Sequence, residues 1–165
     1  MSSRNVALGA LLGALAAVIP LAFGFLRVTI PPFTATLASH VPVMLAMFVS
    51  PAVALVAGLG STVGFLLATS LWYVAARAAV HMVWGVLGAY LYRGGMRPWV
   101  VLSVILPLHM LGEALVVLPF GFDLYKAFIV VGIGTGLHHL VDMSITLAVL
   151  GALVRLGVPL ARRPG

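Results

Sequence analysis

Between residues 33 and 68 the chain carries one ionisable side chain, His40, in a stretch that is otherwise almost wholly apolar. A helix that crosses a hydrocarbon layer of ~30 Å needs about 20 residues of this kind. Pro51, directly after Ser50, interrupts the stretch near its middle. Proline is tolerated in the first turn of a helix and breaks its interior, so the stretch reads as two membrane helices joined by a tight turn at Ser50 and Pro51. His40 is then the informative residue. An ionisable group at membrane depth is expensive, roughly 2.5–3.5 kcal/mol for charged types on insertion scales, and such groups face a protein interior or a water-filled cavity.

Composition extends this reading to the whole chain. Only 7% of the 165 residues are charged and the mean hydropathy is +1.23, whereas a soluble domain carries about 25% charged residues. The expectation is an all-α integral membrane bundle, one membrane-embedded substrate-binding domain over residues 1–165, with no separate soluble domain. Six spans fit, at about 5–25, 34–49 with a kink at Pro42, 51–68, 72–92, 98–118 with a kink at Pro107, and 125–156 with a break near the Gly132, Gly134 and Gly136 run. The first apolar stretch shows no clear cleavage site and is read as a retained helix. Residues 27–32 (RVTIPP) favour extended backbone and form either a plain connector or a lid over one mouth of the bundle.

Six spans place both termini on one side. Arg4, Arg93, Arg97, Arg155, Arg162 and Arg163 then share that side, against Arg27 and Lys126 on the other. The positive-inside rule makes the first side cytoplasmic, so the chain is expected as a multi-pass protein of the cell membrane with both termini inside. The net charge of +6 is scattered over span ends and offers no stripe for nucleic acid. The absence of cysteine removes disulfides, thiolate metal sites and a cysteine nucleophile.

Depth is the next clue. Arg77 and His81 stand at i, i+4 on span four, and His109 and Glu113 at i, i+4 on span five, each pair on one helix face. Counting from the outer ends, His40, Arg77, His81, His109 and Glu113 fall at similar depth in the outer half. His138, His139 and Asp142 on span six fall deeper. Convergent polar groups in an apolar, aromatic-lined cavity are how small-molecule sites are built. Arg77 suits a carboxylate, histidines suit a ring nitrogen or carbonyl, and Trp72, Tyr73 and Trp84 could stack a flat ligand. Plainer readings remain open. Arg77 and Glu113 could simply neutralise one another, and the span-six histidines could orient that helix.

No HxxxH or HExxH pair is present and the histidines lie on four spans, so neither a metal site nor a cofactor is expected. There is no GxSxG, P-loop or HExxH and no evident nucleophile, so the chain is not read as an enzyme. Any ATP coupling has to come from another chain. On span one, Gly9 with Gly13 and Ala10 with Ala14 form small-xxx-small pairs that allow close helix approach, either within the bundle or onto another membrane protein.

In size, span number and the Ala10-xxx-Ala14 pair, the chain resembles the substrate-binding S components of energy-coupling factor (ECF) vitamin transporters over nearly its whole length. The stretches from Thr36 through His40 and Pro42 to Pro51, and from Arg77 to His81, are similar to the niacin-type members. The resemblance implies a vitamin bound near the outer face under the loop between spans one and two, with residues 27–33, Phe33 included, as the roof. It implies Arg77 on the nicotinate carboxylate and His40, His81 or His109 on the pyridine nitrogen. It also implies partners, namely a transmembrane coupling subunit that docks on Ala10, Ala14, Gly9 and Gly13, and two ATPase subunits. The alternatives are another vitamin such as a pyridoxine-type ring, transition-metal uptake, and a membrane structural or assembly subunit without a ligand.

Overall fold

The computed structural model describes residues 2–157. The architecture is all-helical apart from one hairpin. Helix α1 (Ser3–Ala22) leads through a short 3-10 turn into strands β1 (Arg27–Ile30) and β2 (Phe33–Thr36). Then come α2 (Val41–Met47), α3 (Pro51–Thr69), α4 (Trp72–Arg93), α5 (Pro98–Val117) and α6 (Gly134–Arg155). Residues Tyr125–Ile133 lead into α6 as a π-helical segment. Among the described residues, five helices are long and apolar enough to cross a membrane, and α2 is not one of them. The predicted basic tail at Arg162 and Arg163 lies outside the described residues.

The second span differs most from its expectation. A single helix over 34–49 is replaced by a strand, a turn and seven helical residues, which rise only about 10 Å at 1.5 Å per residue. Pro42 falls in the first turn of α2, where its missing N–H has no intrahelical partner to lose, so it starts the helix rather than kinking it. Val43, Met44, Ala46, Met47 and Phe48 are fully buried. A helix apolar on every side belongs in a core, and α2 is the centre of the main one, packed among α1, α3, α4 and α6. The turn at Ser50 and Pro51 is as expected: the Ser50 hydroxyl accepts the Val53 N–H at 3.2 Å and caps α3.

Close approach of α1 and α3 fixes the topology. A side chain at Gly60 would strike the Gly13 carbonyl, and one at Gly64 would strike Ala17. Both contacts advance together along the two helices, so α1 and α3 are parallel, and residues 23–50 bring the chain back between them. The later pairs are antiparallel. Ser61 meets His81 across α3 and α4, Arg77 meets Glu113 across α4 and α5, and Thr135 meets Glu113 across α5 and α6.

The hairpin closes the end of the bundle where α1 and α3 finish. Arg27 donates to the Pro20 and Ala68 carbonyls near those helix ends and to Thr36 Oγ1 at 3.3 Å, a favourable place for a cation. Strand β2 is buried throughout, while β1 is largely exposed. Residues 27–36 are thus a two-layered cover with its inner strand on the helices.

Candidate functional site

Glu113 is the hub beneath that cover. Its Oε2 accepts from Arg77 Nε at 2.9 Å, from Arg77 Nη2 at 2.6 Å and from Thr135 Oγ1 at 2.6 Å. Its Oε1 faces His81 Nε2 at 3.2 Å and His109 Nε2 at 3.0 Å. The one-turn spacing of Arg77 with His81, and of His109 with Glu113, aims each pair from a single helix face at this point. All four side chains are buried. Breaking a buried ion pair by removing one partner costs about 3–5 kcal/mol because the other charge is left without a partner, so Arg77 and Glu113 depend on one another.

Arg77 also holds the cover. Nη1 donates to the Pro32 carbonyl at 3.0 Å and Nη2 to the Thr34 carbonyl at 3.3 Å. Its guanidinium carbon lies 5.3 Å from the centre of the Phe33 ring, within cation–π range. The planar fork therefore spans the carboxylate on one side and the hairpin backbone on the other.

A second carboxylate fastens the turn between β2 and α2. Asp142 accepts the Ala38 N–H at 2.8 Å and the His40 N–H at 2.9 Å. His138 Nε2 lies 3.1 Å from both Asp142 Oδ2 and the Thr36 carbonyl, two acceptors that this nitrogen serves as donor. The sequence expectation placed His138, His139 and Asp142 deeper than the other polar groups. Instead the His138 ring is centred 4.3 Å from that of His40, and His139 Nδ1 lies 3.0 Å from His109 Nδ1. The π-helical segment explains the difference: bonding i to i+5 winds the chain wider and advances it less per residue, so α6 begins closer to the mouth.

The predicted ring residues divide. Trp84 is 1% exposed and floors the cluster, its ring centred 4.7 Å from His109 and 5.3 Å from His81. Phe33, the first residue of β2, is buried against Arg77. Trp72 is 71% exposed on the outside of α4, which corrects its assignment to the cavity. Tyr73 packs against Phe120 and Phe122, away from the histidines. Sequence reasoning missed Thr34, Ser61 and Thr135. Only their contacts reveal them, since hydroxyls are ordinary in apolar helices.

The expected water-accessible hollow is nearly closed. Between Thr34, His40, Arg77, His81, Glu113 and His138 there is room of about 10 Å³ for the centre of a water-sized sphere, about one water molecule. Ligand clefts are typically ~300–1,000 Å³. The small-residue pairs of α1 also divide. Gly9 and Gly13 are buried, with Val56 of α3 beside both, and are used in internal packing, whereas Ala10 and Ala14 are exposed.

The chain is 38% identical over 90 residues to the niacin transporter NiaX of Lactococcus lactis subsp. cremoris (strain MG1363). The match takes in 54% of this chain and 40% of that protein. No family model matches the chain, and no solved structure matches it. The relative is named as a transporter rather than an enzyme, and five apolar helices of spanning length make this chain a multi-pass membrane protein. The niacin part of the sequence resemblance is thus met by a niacin transporter that is similar over about half of the chain.

Proposed function

We propose that the protein is the substrate-binding S component of an ECF-type importer in the cell membrane, and that its substrate is a small vitamin, niacin first. One observation carries this reading: Arg77 and His81 from α4, His109 and Glu113 from α5, and His40 at the start of α2 meet in one buried cluster under a hairpin. Arg77 offers two parallel donors for a carboxylate, and Glu113 holds that position in the closed state. An incoming nicotinate carboxylate takes over part of the Arg77 fork while a histidine meets the pyridine nitrogen. Entry requires the hairpin to lift, which breaks the Arg77 bonds to the Pro32 and Thr34 carbonyls.

The same reading takes the chain through six crossings with both termini in the cytoplasm. The parallel packing of α1 and α3 needs a return between them, which the hairpin, the turn and α2 supply together. Arg4, Arg93, Arg97 and Arg155 then share the cytoplasmic end. A transmembrane coupling subunit docks on the exposed Ala10 and Ala14 face and brings two ATPase subunits. Gly9 and Gly13 contribute indirectly, by holding α1 on α3.

The test is titration calorimetry of nicotinate into purified protein without ATP. Arg77→Ala is expected to weaken binding at least 10-fold, corresponding to ~1.4 kcal/mol or more. The same substitution in an E113Q background keeps the site free of an uncompensated charge and is expected to lose binding likewise. Unchanged affinity in a folded R77A/E113Q protein would remove Arg77 from the site.

A further inference from the structure

With both imidazoles neutral and Glu113 ionised, the hydrogen-bond chain through His139 and His109 is one proton short. It runs from the Leu102 carbonyl to His139 Nε2 at 3.1 Å, from His139 Nδ1 to His109 Nδ1 at 3.0 Å, and from His109 Nε2 to Glu113 Oε1 at 3.0 Å. Each of the three contacts needs one positive centre between its two heavy atoms. Two neutral imidazoles supply two protons, and a carbonyl and a carboxylate supply none. His81 does not relieve the shortage, because its Nδ1 is served by the Ser61 hydroxyl at 2.9 Å and its Nε2 also faces Glu113 Oε1. A missing cation also fits the formal charge of the interior. Arg77 against Glu113 and Asp142 leaves one net negative charge while the rings are neutral, costly at membrane depth.

We propose that a divalent transition-metal ion is this missing centre, held by His40, His81, His109 and Glu113. Ligand atoms from the four residues lie within 4.8 Å of one another, and all four residues are buried. His81 Nε2 and His109 Nε2 stand 3.2 and 3.0 Å from Glu113 Oε1. Bonds of ~2.0–2.1 Å in a tetrahedral site give edges of about 3.3–3.4 Å, so these two edges need little adjustment. His40 closes the set, its ring nearly perpendicular to His81 and His109 with centres 4.8 and 4.7 Å away. Three imidazoles with one carboxylate and no sulfur suit zinc, nickel or cobalt. For two of the three histidines the second ring nitrogen is fixed by a neighbour, as is usual for metal ligands: Ser61 serves His81 and His139 serves His109. A divalent ion turns the net negative charge into one positive charge, which a bound monoanion cancels. The metal site itself does not rest on the vitamin assignment.

The probe is Co²⁺ alone, added without vitamin to tag-free, chelator-treated protein. The expected result is one Co²⁺ per chain by elemental analysis, with visible absorption of tetrahedral intensity. H81A and H109A are expected to weaken uptake at least 10-fold, and H139A, which leaves the four ligands in place and removes the outer partner of His109, about 10–100-fold. Folded wild-type protein that takes up no Co²⁺ overturns the proposal and leaves a third proton in the chain. That outcome is separable from the vitamin reading, because nicotinate is titrated into the metal-free protein in a parallel experiment.

Discussion

Glu113 is one of three acidic residues in the chain. It meets four side chains from three helices and draws the charge of Arg77. Glu113→Gln keeps the shape and deletes the charge, so it is expected to lower unfolding stability by about 3–5 kcal/mol through the unpaired Arg77. Chemical unfolding in detergent measures this, and an unchanged midpoint would mean that Arg77 finds another counter-charge. At this scale the sequence was informative where spacing imposed geometry. The i, i+4 spacing of Arg77 with His81, and of His109 with Glu113, by itself puts each pair on a shared helix face. Sequence alone could not decide where Trp72 lies, because an aromatic residue at a helix start serves an outer interface as readily as a cavity. Thr34, Ser61 and Thr135 carried no signal of their own.

The elements divide into a rigid frame and a fastened cover. The frame rests on α1 against α3, where Gly60 and Gly64 let the backbones touch. Gly64→Val forces a side chain into Ala17 backbone and is expected to lower stability by about 1–3 kcal/mol, read as a lower thermal midpoint. A wild-type midpoint would show that the two helices separate without cost. The turn that joins the cover to α2 is fastened by Asp142. Asp142→Asn weakens two charge-assisted bonds, so faster hydrogen exchange is expected at the Ala38 and His40 amides while those of α3 keep their protection. Equal protection in both proteins would show that the turn is held otherwise. The helices α3, α4 and α5 were legible because length, prolines and apolar content agree. The second span was not, since residues 34–49 are apolar enough for one helix, and only the tertiary environment selects β2 and a buried α2. The π-helical lead into α6 was equally hidden, although the glycine run marked where the winding changes.

As a whole molecule the protein is a bundle that shelters a charged cluster from lipid and covers it with a hairpin. Its topology is directly testable because these 165 residues include no cysteine. Single cysteines at Ser3 and Val154 are expected to react with a membrane-impermeant thiol reagent only after the cells are opened, and one at Val28, exposed on β1, in intact cells. Labelling of Ser3→Cys and Val154→Cys on opposite sides would mean an odd number of crossings. The central claim is that the buried cluster receives a niacin-type molecule, and native mass spectrometry of the protein purified from niacin-fed cells tests it most directly. One added mass of nicotinate or nicotinamide per chain is expected, absent from the R77A/E113Q protein. Bare wild-type protein under saturating niacin, or an adduct that survives in R77A/E113Q, would contradict it.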